Sequence, residues 1–421
     1  MRTMHKRINK RKKTMIRTAA ALAAASAVMC SLCGCTSEIA DTAQDVIGTL
    51  TGQGASGSSG AVFGEEDAVR MYGEPEVATE GLSGFAYDQL PENIRAVYAQ
   101  LYTGIAAEKP VVVIRAADTD EIKQAMTALL TDCPEFFWLN GNASMNGYTE
   151  AGIWQVTVGF DTDASEIEDV RAAIESAARE YLDTLQDGAS EYDKVRAAYE
   201  YIIRTTVYDC GAKHSQNIRS VFVNRRSVCA GYARALQYLL KKAGVWCAFI
   251  EGTAGDEGHA WNLVRIDGTY TLVDPSWGDP TYREDSADAS RLDVIYDYLC
   301  VSSDEMRRVG HTPKGTYELP ECTDRTYDYY ILNGMYYDYF DTDAVSDALW
   351  RTVDAGGHSV YMKFRDNACY EEAKAALFPA EGGTESLLDA PIRQQMEWDA
   401  ASTMNYYYSF SDELFIIKIY W

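Results

Sequence analysis

Two strand-like runs joined by a tight-turn dipeptide constrain the fold of this 421-residue chain more than any other feature. GHAWNLVRI precedes Asp267-Gly268, and TYTLVDPSW follows it. Asp-Gly between strand-like runs is the strongest short signal of a β-hairpin. A two-residue loop at this point would set the register, so that Trp261 faces Asp274 across the two strands.

That register brings a histidine and an aspartate to the same side of the hairpin. Period-two alternation places His259 on the face of Trp261, and therefore of Asp274. The backbones of His259 and Asp274 would be diagonal neighbours, roughly 7–8 Å apart and within side-chain reach. A one-residue bulge would reverse the parity, so the prediction requires a regular ladder. A carboxylate in this position can fix the tautomer of the imidazole and stabilise its protonated form.

A helical pattern upstream of the hairpin begins at a cysteine. Apolar residues recur at three- and four-residue spacing from Cys229 to Ala243, and Gly244 supplies a stop. Backbone N–H groups and the helix dipole favour a thiolate at such an N-terminus. A thiolate paired with an imidazolium is nucleophilic near neutral pH. The alternative is a core cysteine, a surface histidine and a hairpin aspartate that are unrelated.

Three motifs, VCAGYARAL, GHAWNLV and YTLVDPSWGDP, resemble in this order those of the transglutaminase-like superfamily. The resemblance covers about residues 188–285 and implies an α+β, papain-like fold, with the cysteine helix packed on an antiparallel sheet. It implies that Cys229 is the nucleophile, His259 the general base and acid, and Asp274 the group that orients the histidine. Members of the family form a thioester with a carboxamide or peptide carbonyl, then pass the acyl group to an amine or to water.

Further site residues are predicted on weaker grounds. Trp261 and Trp277 match aromatic positions of the family's motifs and are expected to form walls of the site, with core packing as the alternative. The backbone N–H of Cys229 is the expected oxyanion donor, and Gln216 is the candidate for the second, with Asn224 as its rival. The arginines before the cysteine either bind a substrate carboxylate or are solvated: Arg225 and Arg226. The other histidines of the mature chain have no comparable setting: His214, His311 and His358.

The first 34 residues are typical of an export signal. A basic segment with eight Lys and Arg and no acidic residue leads into a short, alanine-rich apolar run. Leu32-Cys33-Gly34-Cys35 resembles the lipobox of bacterial lipoproteins, in which the matching cysteine is diacylated; an ordinary secretory signal is the alternative. The resemblance implies that Cys35 anchors the chain in the lipid membrane, on the outer face of a bacterial cell membrane. The Gly/Ser-rich segment at 35–66 is expected to be a flexible tether.

The chain beyond the tether exceeds the usual size of one compact domain. We expect an N-terminal α+β domain at 67–187, the transglutaminase-like domain at 188–318 and a tyrosine-rich α+β domain at 319–421. ASEIEDVRAAIESAAREYLDTL is predicted to be a helix opened by a capping box of Ser165 and Glu168. DYYILNGMYYDYF, HSVYMKF, MNYYYSF and ELFIIKIYW are predicted strands, whose tyrosines pack the core or, alternatively, stack on sugars or bind a partner.

Charge and motif content exclude several classes of function. The formal charge is −25, and removal of the basic signal makes the chain more acidic, so nucleic acid is not an expected partner. G-x-S-x-G and H-E-x-x-H are both missing, which argues against a serine hydrolase and a zinc protease. The cysteines after Cys35 show no metal-ligand spacing, and we expect neither a metal nor a cofactor.

Two functions follow from these observations. The first is a cell-surface thiol enzyme that acts on a protein or a cell-wall peptide. Hydrolysis is favoured over amine transfer for this enzyme, because an open surface site is hard to keep dry. The second is a non-catalytic binding module that keeps the transglutaminase fold. The intact set of Cys229, His259 and Asp274 favours the enzyme.

Overall fold

A computed structural model of the chain describes residues 65–77, 81–148, 152–283, 294–379, 386–395 and 406–421. The predicted signal peptide, Cys35 and nearly all of the predicted tether lie outside the described residues. Within the described ranges, no helix is both long enough and apolar enough to cross a bilayer.

The described residues form a mixed arrangement of helices and strands. The helices are α1 (Glu65–Tyr72), α2 (Glu92–Ala106), α3 (Thr119–Asp132), α4 (Ile167–Asp183), α5 (Glu191–Thr205), α6 (Ile218–Phe222), α7 (Cys229–Lys242), α8 (Ser303–Arg308), α9 (Tyr329–Leu332), α10 (Thr342–Asp354), α11 (Asn367–Leu377) and α12 (Asp389–Gln395). The strands are β1 (Val111–Arg115), β2 (Leu139–Tyr148), β3 (Ile153–Phe160), β4 (Val207–Tyr208), β5 (Arg226–Ser227), β6 (Trp246–Ala254), β7 (Glu257–Ile266), β8 (Thr269–Val273), β9 (His311–Pro313), β10 (Tyr336–Tyr337), β11 (Ser359–Phe364), β12 (Tyr407–Ser411) and β13 (Ile416–Tyr420).

The longer strands form three sheets, one in each third of the described chain. The first sheet has the order β1-β3-β2, the second β8-β7-β6-β9 and the third β10-β11-β13-β12. The second sheet is antiparallel throughout, and α7 packs across its strands β6 and β7. The predicted α+β class, with the cysteine helix on an antiparallel sheet, is therefore confirmed.

The hairpin between β7 and β8 has the predicted register. Its pairs run from Ile266 with Thr269 outward to Asn262 with Val273, without a bulge. Asp267 and Gly268 have φ values of 47° and 85°, as a type I′ turn requires of its two central residues. Because the ladder is regular, Asp274 leaves the end of β8 on the side predicted from the parity of the two strands.

Helix α7 begins at Cys229, the residue where the apolar pattern begins. It ends at Lys242, and Gly244 follows with φ of 77°, the left-handed conformation that closes many helices. The side chain of Asn262 on β7 donates to the carbonyl of Ala233 at 2.9 Å. This hydrogen bond joins the helix to the strand at the level of the predicted site.

Two apolar cores fill most of the described part of the chain. The larger core runs from Ala86 to Cys300 and joins the first sheet to α5, α6 and α7. A second core, from Val345 to Ile419, lies between the third sheet and its helices. The boundaries at 187 and 318 stay predictions.

Two local predictions were wrong. Helix α4 begins at Ile167 with Glu166 at the N-cap and has no side-chain cap, so no capping box of Ser165 and Glu168 opens it. DYYILNGMYYDYF is not a strand, because it contains α9 and only the two-residue strand β10. The side chain of Asp328 accepts from the backbone N–H of Tyr330 and starts the helical turn. The other three predicted strands are β11, β12 and β13.

Two buried lysines of the third sheet bind carboxylates that precede this sheet in the chain. Lys363 Nζ on β11 lies 2.7 Å from both Glu305 Oε1 and Asp328 Oδ2. Lys418 Nζ on β13 lies 2.8 Å from Asp297 Oδ2. Burial raises the pKa of Glu305, but the charges of Lys363 and a neighbouring arginine outweigh it and lower the pKa to about 2. The ionised carboxylate therefore stabilises the fold above about pH 4.5, and this contribution is lost as the pH falls towards 2.

Lys363→Met is expected to lower the free energy of unfolding by about 3–5 kcal/mol, because two buried carboxylates are then left with one cation, Arg325, between them. Urea unfolding at pH 7 measures the loss. Lys123→Met is the matched control, since Lys123 pairs with Asp120 at the surface and its removal is expected to cost less than about 1 kcal/mol. Equal losses in the two variants would contradict the structural role of Lys363.

Candidate active site

Asp274 accepts hydrogen bonds on both of its carboxylate oxygens. Its Oδ1 accepts from the backbone N–H groups of Ser276 and Trp277, each at 3.0 Å, and from the Ser276 hydroxyl at 2.7 Å. Its Oδ2 lies 2.7 Å from His259 Nε2 and 3.0 Å from His311 Nε2. The side chain is 0% exposed, so protein groups take the place of water around the carboxylate.

The protonation of the two imidazoles follows from the charge on Asp274. Burial raises the pKa of Asp274, but the charge of His259 and the hydrogen bonds from both histidines hold the pKa well below its usual range. An ionised carboxylate only accepts hydrogen bonds, so the Nε2 atoms of His259 and His311 both carry protons. Nδ1 is then the nitrogen through which His259 can take up a further proton.

The two predicted wall residues lie against the imidazole of His259. The ring centroids of Trp261 and His259 are 6.0 Å apart with the planes nearly parallel, at 22°. The ring centroid of Trp277 lies 5.6 Å from that of the same imidazole. The structure thus brings together His259, Asp274, Trp261 and Trp277, as the hairpin and the motifs predicted. Whether the indoles contact a substrate stays a prediction.

His311 belongs to the same cluster, although its sequence setting gave no sign of this. It lies on β9 and pairs with Ala254 of β6, while His259 pairs with Gly252 of the same strand. Since Gly252 and Ala254 are two positions apart, the histidines on either side of β6 share one face of the sheet. The prediction that His311 has no setting comparable to that of His259 was therefore wrong.

Cys229 is a buried thiol at the first position of α7. Val228 occupies the N-cap and makes no side-chain hydrogen bond to the first turn. The N–H groups of that turn and the helix dipole therefore favour an anion, whether a thiolate or an oxyanion. Cys229 packs in one apolar cluster with Ala260, the residue after His259. The start of helix α7 therefore packs against β7 at the residue that follows His259.

Four other cysteines have environments that suppress ionisation of the thiol. Burial raises the pKa of Cys133 to about 12 and that of Cys322 to about 11. Burial also raises the pKa of Cys247 and of Cys300. Thiols that stay protonated at neutral pH are poor nucleophiles, so these four serve as internal references for the reactivity of Cys229.

The candidates for a second oxyanion donor have different surroundings. Gln216 is exposed, in the turn that precedes α6. The rival, Asn224, donates from Nδ2 to the Lys213 carbonyl. The two arginines, predicted either to bind a substrate carboxylate or to be solvated, each lie near a carboxylate of the chain: Arg225 is 3.6 Å from Glu180, and Arg226 is 2.8 Å from Asp209. The assignment of Gln216 as a donor stays a prediction.

Gly231 allows the turn that holds Gln216 to pack against the first turn of α7. A Cβ at this position would overlap Ser227 Oγ and lie 2.8 Å from both the Ser215 carbonyl and Ser220 Oγ. The backbone atom and the two hydroxyls, which hydrogen-bond to each other at 2.6 Å, leave no room for it. The small residue after Cys229 and Ala230 therefore sets how closely the loop approaches the nucleophile candidate.

Gly231→Ala is expected to destabilise the fold by about 1–3 kcal/mol, because the added methyl group overpacks the first turn of α7. Urea unfolding measures the change. Gly211→Ala is the matched control, since its Cβ would lie 3.4 Å from Asp209 Oδ1, an ordinary contact. A Gly231→Ala variant as stable as the control would show that the loop yields without cost.

Comparison with known proteins finds sequence similarity in the segment that contains the site. Residues 179–275 match the model of the transglutaminase-like superfamily. Kyphoscoliosis peptidase from Mus musculus is 27% identical over 137 residues, which cover 28% of this chain and 20% of that protein. The protein of the same name from Homo sapiens is 27% identical over 113 residues, which cover 23% of this chain and 17% of the relative.

The matched region spans about a fifth of the length of these relatives. A crystal structure of a TGase aligns with 32% of this chain and 44% of its own, at 14% identity and a TM-score of 0.24, which is too low to add support. The similarity to this family therefore depends on the sequence match, which contains Cys229, His259 and Asp274. Residues 179–275 are thus similar in sequence to the transglutaminase-like superfamily.

Proposed function

We propose that this chain is a thiol enzyme that acts on peptide or carboxamide bonds through a thioester on Cys229. The observation that carries the proposal is the buried contact of 2.7 Å between His259 Nε2 and Asp274 Oδ2, on the sheet against which the helix that begins at Cys229 packs. An ionised carboxylate on one nitrogen of an imidazole makes the other nitrogen a better base. A thiol at an N-terminus without a side-chain cap is a suitable partner for that base.

The residues divide the reaction between them. His259 takes the proton of the Cys229 thiol, and Sγ forms a bond to the substrate carbonyl carbon. The N–H of Cys229 stabilises the oxyanion that develops. The C–N bond then breaks, and His259 returns the proton to the departing nitrogen. Water, activated by His259, releases the acid from the thioester, and an amine in place of water gives a new amide. Asp274 holds the imidazole and stabilises its charged form, and no step needs a metal or a cofactor.

Hydrolysis is the proposed outcome, although the reason differs from the one offered by the sequence. The sequence led us to expect an open surface site, but Cys229 and His259 are 1% and 3% exposed. A buried site excludes water, so the expected openness no longer argues for hydrolysis. Support comes instead from the relatives that share this segment, which are named peptidases.

The proposed location and substrate follow from the N-terminal sequence. Acylated Cys35 would anchor the chain in the lipid membrane on the outer face of a bacterial cell, with 36–66 as the tether. A catalytic domain held there meets proteins and cell-wall peptides, which we propose as substrates. The acidic surface makes nucleic acid an unsuitable partner.

Alkylation by iodoacetamide tests the activated thiol. Cys229 is expected to react at pH 6 at least about ten times faster than Cys133 and Cys322, whose pKa values of about 12 and 11 keep them protonated. His259→Ala is expected to slow the reaction of Cys229 at pH 6 by about tenfold. Peptide mass mapping follows each cysteine separately.

His358→Ala is the matched control, because His358 is exposed in the C-terminal unit. If Cys229 reacts only near pH 8–9 in the wild type and in His259→Ala alike, the thiol is not activated. That result would favour the alternative of a non-catalytic binding module.

Product analysis separates hydrolysis from amine transfer. With glutamine peptides and an excess of a primary amine, hydrolysis is expected to give mainly the acid, and Cys229→Ala is expected to give no product. Mass spectrometry of the peptide distinguishes the acid from the amine adduct. A predominant adduct would replace hydrolysis with transfer and would leave the thioester mechanism in place.

A further inference from the structure

His311 lies among rings, with one polar contact. It is 1% exposed, and its ring centroid lies 4.9 Å from that of Trp261, 4.6 Å from that of Trp277 and 5.0 Å from that of His259. Its Nε2 lies 3.0 Å from Asp274 Oδ2, while its Nδ1 is buried without a hydrogen-bond partner among the described residues. The mechanism proposed above gives this histidine no task.

The surroundings of His311 favour its neutral form. Burial lowers the pKa of His311, and the opposing attraction of Asp274 does not overcome it. A second proton would sit on Nδ1, and a buried N–H without an acceptor is costly. Asp274 and His259 are the titratable groups that act on the ring, and Glu257 acts on His259 in turn. His311 is therefore a neutral donor through Nε2.

The contact distances favour hydrogen bonds over metal ligation at this cluster. His259, Asp274 and His311 are a set whose donor atoms lie within 4.8 Å of one another. Ligands bound tetrahedrally to zinc at about 2.1 Å stand about 3.4 Å apart. The two Nε2–Oδ2 distances are 2.7 and 3.0 Å, which are hydrogen-bond lengths. Both imidazoles are directed at the oxygen itself.

We propose that His311 is a positioning residue, whose Nε2–H shares Asp274 Oδ2 with His259 and so limits how strongly the carboxylate binds the proton of His259. This inference rests on the proposed function in one respect only, the role of His259 as base. A donor on Oδ2 withdraws part of the charge that would otherwise act on His259. Because His311 is neutral, it does so without placing a second positive charge beside the imidazolium.

The shared oxygen has a consequence for acyl transfer. A carboxylate that bound His259 alone would hold the imidazolium more tightly, and the imidazolium would return its proton to the leaving nitrogen less readily. A general acid and base works best when its pKa lies near the working pH. His311 thus acts on the proton through Asp274, and it touches neither the thiol proton nor the substrate in this scheme.

The test is the pKa of His259, measured by NMR on ring-labelled histidine in the wild type, His311→Leu and His311→Gln. His311→Leu removes the donor, and the pKa of His259 is expected to rise by about one unit. His311→Gln supplies an amide N–H, and the pKa is expected to return towards the wild-type value. His358→Gln is the control for a histidine outside the cluster. In the alkylation profile of Cys229, the inflection at which His259 loses its proton should move by the same amount.

A purely structural role would lower the unfolding temperature of His311→Leu but leave the pKa of His259 unchanged. A folded His311→Leu variant whose His259 titrates within about 0.2 units of the wild type would overturn the proposal. If His311→Leu does not fold, the protonation states of His311 and His259 in the wild type test the proposal instead. Long-range nitrogen–proton spectra are expected to show His311 neutral, with its proton on Nε2, while His259 takes up its second proton. A proton on Nδ1 of His311 would also overturn the proposal, because Nε2 could then not donate to Asp274.

The outcome is separable from that for the proposed function. If Cys229 of the wild type shows no activation, the thiol enzyme fails, whereas the difference in the pKa of His259 between the wild type and His311→Leu still reports on the shared carboxylate. If Cys229 is activated and that difference is missing, His311 alone loses its role.

Discussion

A buried, ionised carboxylate is the constraint on which the site depends. An isolated charge in the interior costs several kcal/mol unless it is paired and hydrogen-bonded, so Asp274 requires donors on both oxygens. The donors come from β7, from β9 and from the turn after β8. One side chain therefore fixes three parts of the chain relative to one another. The orientation of His259 is a result of this requirement as much as of the packing around the ring.

The sequence predicted the parts of the site that depend on short-range rules. Asp267-Gly268 requires a particular turn, the turn sets the register, and the register decides which side chains share a face. The start of α7 at Cys229 followed from the apolar spacing and the stop at Gly244. In both cases the controlling contacts lie within a few residues along the chain, where pattern and geometry determine each other.

The rest depended on contacts that the local sequence does not encode. His311 reaches Asp274 because β9 pairs with β6 on the edge opposite β8, and this choice of neighbour is made by the whole sheet. The tyrosine-rich composition of the segment after Asp328 predicts a strand, because tyrosines suit strands on average, but the side chain of Asp328 caps a helical turn there. The burial of Cys229 likewise depends on packing by separate elements. Gln216 is a further example, because its distance from Cys229 along the sequence does not reveal that its side chain is exposed.

The two buried lysines of the third sheet also determine when these ion pairs can form during synthesis of the chain. The chain is made from its N-terminus, so Glu305, Asp328 and Asp297 emerge before Lys363 and Lys418. Until β11 and β13 have been synthesised, these carboxylates lack the lysines that neutralise them in the finished fold. A chain truncated before β11 would carry Glu305, Asp328 and Asp297 without their lysine partners. The last strand to be synthesised, β13, also contributes to the apolar cluster against which Trp277 packs. Neutralisation of these carboxylates and packing around Trp277 are therefore completed together, at the end of synthesis.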